Sequence, residues 1–397
     1  MEEWKEYKIS EVIDEISMGP FGSNIKVDNF IESGVPVLNG SNLQGYKLNE
    51  NTFNYVSQEK ADSLGKANAH RGDVVITHRG TLGQIVYIPK NSMFERYVIS
   101  QSQFRLKLKE NLIRPDFFVY FFHTRIGQHK ILMNASQVGV PALARPTTTF
   151  KEVSIPIPSM ETQNKVMNIL HSLDDKIEIN RRINDNLEQQ AQALFKSWFV
   201  DFEPLKEGEF VESELGMIPK GWRVGKLGEL CQFKRGKNLL SKDAKFGDVP
   251  VVAGGLEPSC YHNISNTKSP VVTVSGSGAN AGFMRMFYQE VWASDCSFID
   301  TSCENLLFVY YFLSINRRLL KHAQTGAVQP HVKPADIHDF NIVIPPYNEI
   351  KKFQTKVSPI VINNGKNEQE SKKLILLRDT LLPRLMSGEL IINDVTI

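Results

Sequence analysis

Cysteine is scarce in this chain, and the little there is has no metal-binding spacing. Cys231, Cys260, Cys296 and Cys303 all lie in the second half, and none forms a C-x-x-C pair. That argues against a zinc site and against a disulfide framework. Four free thiols point to a reducing cytoplasm. Net charge is nearly absent as well, +2 over 397 residues, so any attraction to a polyanion has to come from charge placement. Long apolar runs are missing. The best, LLFVYYFL from Leu306, falls far short of the ~20 residues that span a bilayer. The opening MEEWKEYKIS is charged and predicts no secretory leader. The sequence also lacks a P-loop, an H-E-x-x-H, a G-x-S-x-G and a cluster of metal ligands. No catalytic residue, metal or cofactor of its own is therefore expected.

What the chain does have is a copy of itself. RGDVVITHRGTLGQIVYI begins at Arg71, and SPVVTVSGSGANAGFMRM begins at Ser269. Each has a β-branched run, a polar glycine turn and a second apolar run. The turn itself differs: His78-Arg79-Gly80-Thr81 against Ser275-Gly276-Ser277-Gly278. The echo extends to Trp4 and Trp222, to Val35-Pro36-Val37 and Val249-Pro250-Val251, and to the aromatic stretches at Phe117–Phe122 and Leu307–Phe312. It closes with the phrases FKEVSIPIPS and IHDFNIVIPP. The offset shrinks from 218 at the tryptophans to 187 at Ile155/Ile342, which predicts short loop deletions in the second copy. Two copies of a long unit are a duplicated domain, not a solenoid. Each copy reads as mixed α/β, with short strands and one apolar helix.

After each copy the period changes. Residues 161–199 contain neither proline nor glycine. Apolar residues there follow a 4-then-3 spacing: Val166, Leu170, Leu173, Ile177, Leu187, Ala191, Leu194 and Trp198. That is a coiled-coil seam, interrupted by Asn180 and Asn184. A second helix, about 348–386, repeats the design with Ile350, Phe353, Val357, Ile360, Leu374, Leu377, Leu381 and Leu385, interrupted by Asn364 and Asn367. An antiparallel pair that buries the asparagines together sets Asn180 against Asn367, with paired numbers summing to about 547. Every other layer is then apolar on apolar, whereas a parallel pair leaves an asparagine layer facing leucines. Pro359 and Gly365 predict a local kink. Val166 to Trp198 spans ~50 Å at 1.5 Å per residue. The expected fold is mixed α/β (α+β): two similar globular domains joined by two long antiparallel coiled-coil helices, with pseudo-two-fold symmetry. The expected boundaries are 1–158, 159–203, 204–346 and 347–397.

Two short motifs invite enzymatic readings. Gly276-Ser277-Gly278-Ala279-Asn280-Ala281 fits G-x-G-x-x-A, with Asp295 at a suitable distance. That fingerprint needs a helix at the turn, and GFMRMFYQEVW reads as a strand. Ile344-Pro345-Pro346-Tyr347 is similar to the N-P-P-Y of amino-methyltransferases, but isoleucine cannot hold an amino group. The first is expected to be a glycine-rich hairpin and the second a strand end.

Three phrases carry a family resemblance: LDDKIEINRRINDNLEQQAQALFKSWFVDFEP from Leu173, GMIPKGW from Gly216 and LLRDTLLPRLMSGEL from Leu376. In order and extent the chain resembles the specificity subunit of type I restriction–modification systems. The resemblance implies that each globular domain is a target-recognition domain reading one half of a split DNA site. It implies that the helices set the spacer and dock two S-adenosylmethionine-dependent adenine-methyltransferase subunits, and that motor-nuclease subunits complete the restriction complex. It also implies a subunit without catalytic residues. The rival readings are a stand-alone methyltransferase with degenerate motifs and a protein scaffold with no DNA role.

Base-edge readout calls for arginine on guanine, amides on adenine and acids on cytosine. Candidate readers in the first domain are Ser23, Asn24, Ser41, Asn42, His78, Arg79, Thr81, Gln101, Gln103, Arg145 and Thr147. In the second they are Lys234, Arg235, Lys237, Ser275, Ser277, Asn280, Asp295, Gln329, His331 and Lys333, the lysines on phosphate. Gly22, Gly80 and Gly278 are candidates for close backbone approach to DNA. Arg181, Arg182, Lys196, Arg378 and Arg384 on the helices are candidates for spacer phosphates or the methyltransferase partner.

Overall fold

The structure is a computed structural model that describes residues 4–22, 24–136, 139–326 and 330–390. It divides into two compact units: residues 1–175 with 374–397, and residues 176–373.

In the first unit a four-stranded antiparallel sheet runs in the order Ile13–Met18, Gln103–Leu108, Val74–Thr77, Ile85–Tyr87. The β-branched run explains its central place. Val74 and Ile76 enter one core and Val75 another, so both faces of the strand are covered. A second sheet orders Asn54–Val56, Val35–Val37, Arg96–Val98 and Asn68–His70. The helix Pro115–His123 is buried from Asp116 through Phe122, as an element apolar on all sides must be. The strand Lys5–Lys8 pairs with Ser154–Ile157, so the opening of the copy is tied to its closing I-x-I-P phrase.

The second unit repeats this plan. Its antiparallel sheet orders Lys234–Arg235, Cys296–Asp300, Val271–Ser275 and Met284–Phe287. Its buried helix is Leu306–Ile315, and Arg223–Lys226 pairs with Asn341–Ile344. The second sheet has three strands, not four: Cys260–His262, Val249–Val252 and Trp292–Ala293. The expected loop deletions are thus larger than loops. The helix Gln58–Ser63 and the strand Asn68–His70 of the first unit have no counterpart between Val252 and Val271.

The long helices are Met160–Phe199 and Tyr347–Met386, each of 40 residues. Within the first unit, Val166, Met167 and Leu170 share a core with Leu382, Leu385 and Met386. Within the second, Ala191, Phe195 and Phe199 share a core with Ile350, Phe353, Val357 and Val361. In the second unit Asn180 meets Glu370, Asn184 meets Asn367 and Phe195 meets Phe353, so rising numbers on one helix meet falling numbers on the other, which is antiparallel packing.

The register differs from the expected one by about one turn. Asn367 Nδ2 donates to Asn184 Oδ1 at 2.8 Å, not to Asn180. Asn180 donates to the Glu370 carboxylate at 2.7 Å instead, with Lys176 at 3.3 Å from the same oxygen. A charged acceptor binds an amide N–H more strongly than a second amide does, and a seam written in apolar letters does not contain that preference. Asn364 takes part through its backbone oxygen, which accepts from Asn184 Nδ2 at 3.1 Å. Leu377, expected in the seam, is 46% exposed beside exposed Ile375 and Leu376. The second helix also runs unbroken past Pro359 and Gly365. Gly365 is there for proximity, since a Cβ would lie 3.0 Å from Tyr288 Cβ.

One expectation about cysteine fails. Cys231 and Cys303 form a disulfide, with Cα atoms 5.9 Å apart. Their 72-residue separation hid the pair, because only folding brings the segment after Leu227–Glu229 against the start of the Leu306–Ile315 helix. With two of the four cysteines paired, cysteine usage no longer points to a reducing compartment. Cys260 and Cys296 are free, and burial pushes the Cys296 thiol up to about 12.

Candidate nucleic-acid interface

The two glycine turns fold alike. In the first unit Gly80 N–H donates to the Pro141 carbonyl at 2.8 Å, and in the second Gly278 N–H donates to Pro330 at 3.1 Å. Both glycines have positive φ, 92° and 80°, a conformation that costs other residues strain. One step back, His78 N–H donates to Ser102 O at 2.8 Å and Gly276 N–H to Asp295 O at 3.1 Å. At the neighbouring strand, Met18 lies opposite Phe104 with Gly19 N–H on Gln103 O. Arg235 lies opposite Ser297 with Gly236 N–H on Cys296 O. These bonds place Met18, His78, Arg79 and Ser102 at the same frame positions as Arg235, Gly276, Ser277 and Asp295. The hydrogen-bonded backbone recurs, and all four side chains change.

The second unit gathers four of its expected readers, Arg235, Ser277, Asp295 and His331, into one cluster. Arg235 donates to one oxygen of Asp295 and the Ser277 hydroxyl donates to the other. His331 forms a β-bridge with Ser277. In this arrangement the guanidinium uses the space a side chain at Gly276 would take, since a Cβ there would lie 2.4 Å from Arg235 Nη1. In the first unit His78 Nε2 lies 3.1 Å from the Gln101 carbonyl, and burial holds its ring below the usual histidine pKa. Arg79 is exposed, forms a β-bridge with Ala142, and makes no ion pair among the described residues. Gln101 is exposed and fills the space above Gly22, where a Cβ would lie 2.3 Å from its Oε1. Gly80 and Gly278 thus have an internal reason to be glycine in their positive φ. Arg145 is exposed with φ 47° at the start of the Pro146–Lys151 helix, which carries half-buried Thr147. A non-glycine residue in that region is strained and marks a site held by its surroundings. Thr81, Asn24, Lys237 and Lys333 are exposed.

Other expected readers are occupied by the fold. Asn42 is 1% exposed, donating to Asn49 O and Thr52 O and accepting from Asn39 N–H. Gln103, 1% exposed, accepts from Ser100 N–H. Ser275 is buried and donates to Gly254 O. The Ser41 hydroxyl is tied to Asn39, and Lys234 reaches Ser302 at 3.0 Å. Asn280 is half-buried, and it is its backbone carbonyl, not its side chain, that closes a turn with Phe283 N–H. Buried polar side chains must satisfy themselves internally, and their residue type does not reveal which will be buried. Ser23 and Gln329 lie outside the described residues.

Each of the helix cations has a carboxylate neighbour. Arg181 and Arg182 pair with Glu178 at 2.9 Å, holding its carboxyl down at about 2. Arg378 pairs with Asp174 at 2.7 Å and lies over the Tyr46 ring. Lys196 pairs with Asp201 and Arg384 with Glu389. What the second-unit part of the first helix leaves open is a groove of about 270 Å³ along Ile179, Arg182, Ile183, Asn186 and Leu187. Ile179 and Ile183 lay off the expected seam; their i, i+4 spacing was the signal for a second apolar stripe. The larger cleft, about 530 Å³, is lined by Tyr288, Cys303, Val361 and Gly365, and Arg235, Ser277 and Asp295 are not among its lining residues.

The enzymatic alternatives lose their geometry. The strands Val271–Ser275 and Met284–Phe287 form an antiparallel hairpin, so no helix follows Gly276-Ser277-Gly278. Ile344 ends a strand and Tyr347 starts a helix. Among the described residues no group of His, Cys, Asp or Glu could hold a metal ion. No helix among them is long and apolar enough to cross a membrane.

Residues 1–189 and 219–374 match the type I restriction modification DNA specificity domain. The chain belongs to that family. It is 28% identical to the MjaIX type I restriction enzyme specificity subunit of Methanocaldococcus jannaschii, over 99% of this chain and 94% of that one. It is 24% identical to the HindI specificity subunit of Haemophilus influenzae, over 98% and 100%. A type I specificity subunit crystal structure from M. genitalium shares the fold at 17% identity and a TM-score of 0.58, covering 100% of this chain and 97% of that chain. The chain is thus a specificity subunit with two DNA-recognition domains.

Proposed function

We propose that each recognition domain reads one half of a split, asymmetric double-stranded DNA site. The two long helices set the unread spacer and dock two S-adenosylmethionine-dependent adenine-methyltransferase subunits, and motor-nuclease subunits complete the restriction complex. The chain itself contributes recognition and assembly, not catalysis, and it works in the cytoplasm, where chromosomal DNA is accessible. One observation carries this reading: an identical hydrogen-bonded frame holds Met18, His78, Arg79 and Ser102 in one domain and Arg235, Gly276, Ser277 and Asp295 in the other. A conserved backbone with exchanged tips is what two different half-sites require. Half-sites on one face of B-DNA repeat every ~34–36 Å. The exposed Ile179 and Ile183, continued by half-buried Leu187, support a docked partner helix.

The test is co-expression with the methyltransferase subunit followed by methylome sequencing. The expected motif has two unlike halves around a fixed spacer, with adenine modified on both strands. A continuous palindrome, or transfer of a labelled methyl group by this chain alone, refutes the reading.

A further inference from the structure

Arg235, Asp295 and Ser277 form a chain of side chains at the surface of the second domain. The strand Lys234–Arg235 is the outer member of its sheet, so the Arg235 side chain stands at an edge. The guanidinium lies against the bare backbone of Gly276, where a Cβ would displace it. Asp295 is held from both sides, by Arg235 on Oδ1 and by the Ser277 hydroxyl on Oδ2. The Arg235 and Asp295 side chains remain 47% and 32% exposed. Asp295 is the only partner of the guanidinium among the described residues, so most of its five N–H donors remain open.

Charge decides what such an arginine reads. A phosphate anchor needs uncompensated positive charge, and a carboxylate beside the guanidinium repels phosphate. Neighbouring Lys237, exposed and without a carboxylate partner among the described residues, suits that role better. A base edge is neutral, and bidentate readout of it depends on aim more than on net charge. A fork fixed in direction, with its charge balanced, matches the paired acceptors O6 and N7 of guanine in the major groove.

Resting on the DNA-reading function above, we propose that Arg235 reads one guanine of the half-site bound by the second domain. Asp295 is its positioning residue, and Ser277 holds Asp295. The first domain, with Met18 and Ser102 at the matching places, has no such reader there.

The experiment is methylome sequencing of cells carrying the full system with wild-type, R235A, R235K or D295N specificity subunit. Wild type is expected to require a G·C pair at one position of one half-site. R235A and R235K are expected to lower discrimination at that position by about 5- to 150-fold, leaving the other half-site unchanged. D295N is expected to relax the same position less. R235K keeps a cation beside Asp295 and so tests the fork without leaving the carboxylate unpaired. A uniform loss of methylation at an unchanged motif, in either Arg235 variant, would assign a phosphate contact and overturn the proposal. So would relaxation at an A·T position. If the wild-type system itself shows no split motif, the broader DNA-reading function fails instead.

Discussion

At the scale of single residues, exposure separates side chains open to a ligand from those that brace the fold. Asn42 and Arg79 were equally plausible as text, yet one is buried with three hydrogen bonds and the other is exposed. Asn42→Ala leaves buried backbone groups unpaired and is expected to cost about 2–3 kcal/mol in urea unfolding, with the methylation motif unchanged. Arg79→Ala should stay within about 0.5 kcal/mol of wild type while altering the motif in one half. Histidines give a pH prediction. Burial holds His78 and His123 below the ordinary 6.5. Above pH 6.5 both are neutral whether folded or unfolded, and stability is intact. As the pH falls below that value, the unfolded chain takes up protons first, so stability is lost through the depressed folded pKa. His123→Gln, which can still donate to the Ile85 carbonyl, should flatten the fall of the thermal midpoint between pH 7 and pH 5 (a window bracketing ~6.5). An equal slope in the variant contradicts this assignment.

At the scale of elements, helix extents were legible and helix register was not. The proline-free and glycine-free stretch 161–199 predicted a helix, and Met160–Phe199 is one. Apolar spacing says which face is buried, but polar partners choose the layer, and Glu370 captured Asn180. Asn184→Leu or Asn367→Leu alone strands an amide and should cost about 1–2 kcal/mol. The double leucine variant should recover that loss in a double-mutant cycle; an additive result means the pair does not interact. Arg378→Met removes the Asp174 pair, 16% and 24% exposed, together with the contact on Tyr46. It should lower stability by about 2 kcal/mol, read by urea midpoint. The strand pairs that join the start and end of each copy were invisible in the text, because a register between distant strands is decided by packing.

At the scale of the whole molecule, the duplication predicts separable halves of specificity. Exchanging residues 204–346 for the matching segment of a relative should rewrite one half of the methylation motif and preserve the other. A change in both halves would contradict it. The sequence by itself determined the duplication, the two long helices, the mixed α/β class and the family, because repeated phrases, periodicity and long ordered motifs are properties of the chain as written. Only the tertiary structure decided which polar residues are spent inside, which cysteines meet, and that Arg235, Ser277 and Asp295 form one cluster from three separate strands and turns. The physical reason is common to all three. Burial and pairing depend on contacts between residues tens of positions apart, and residue type carries no record of them.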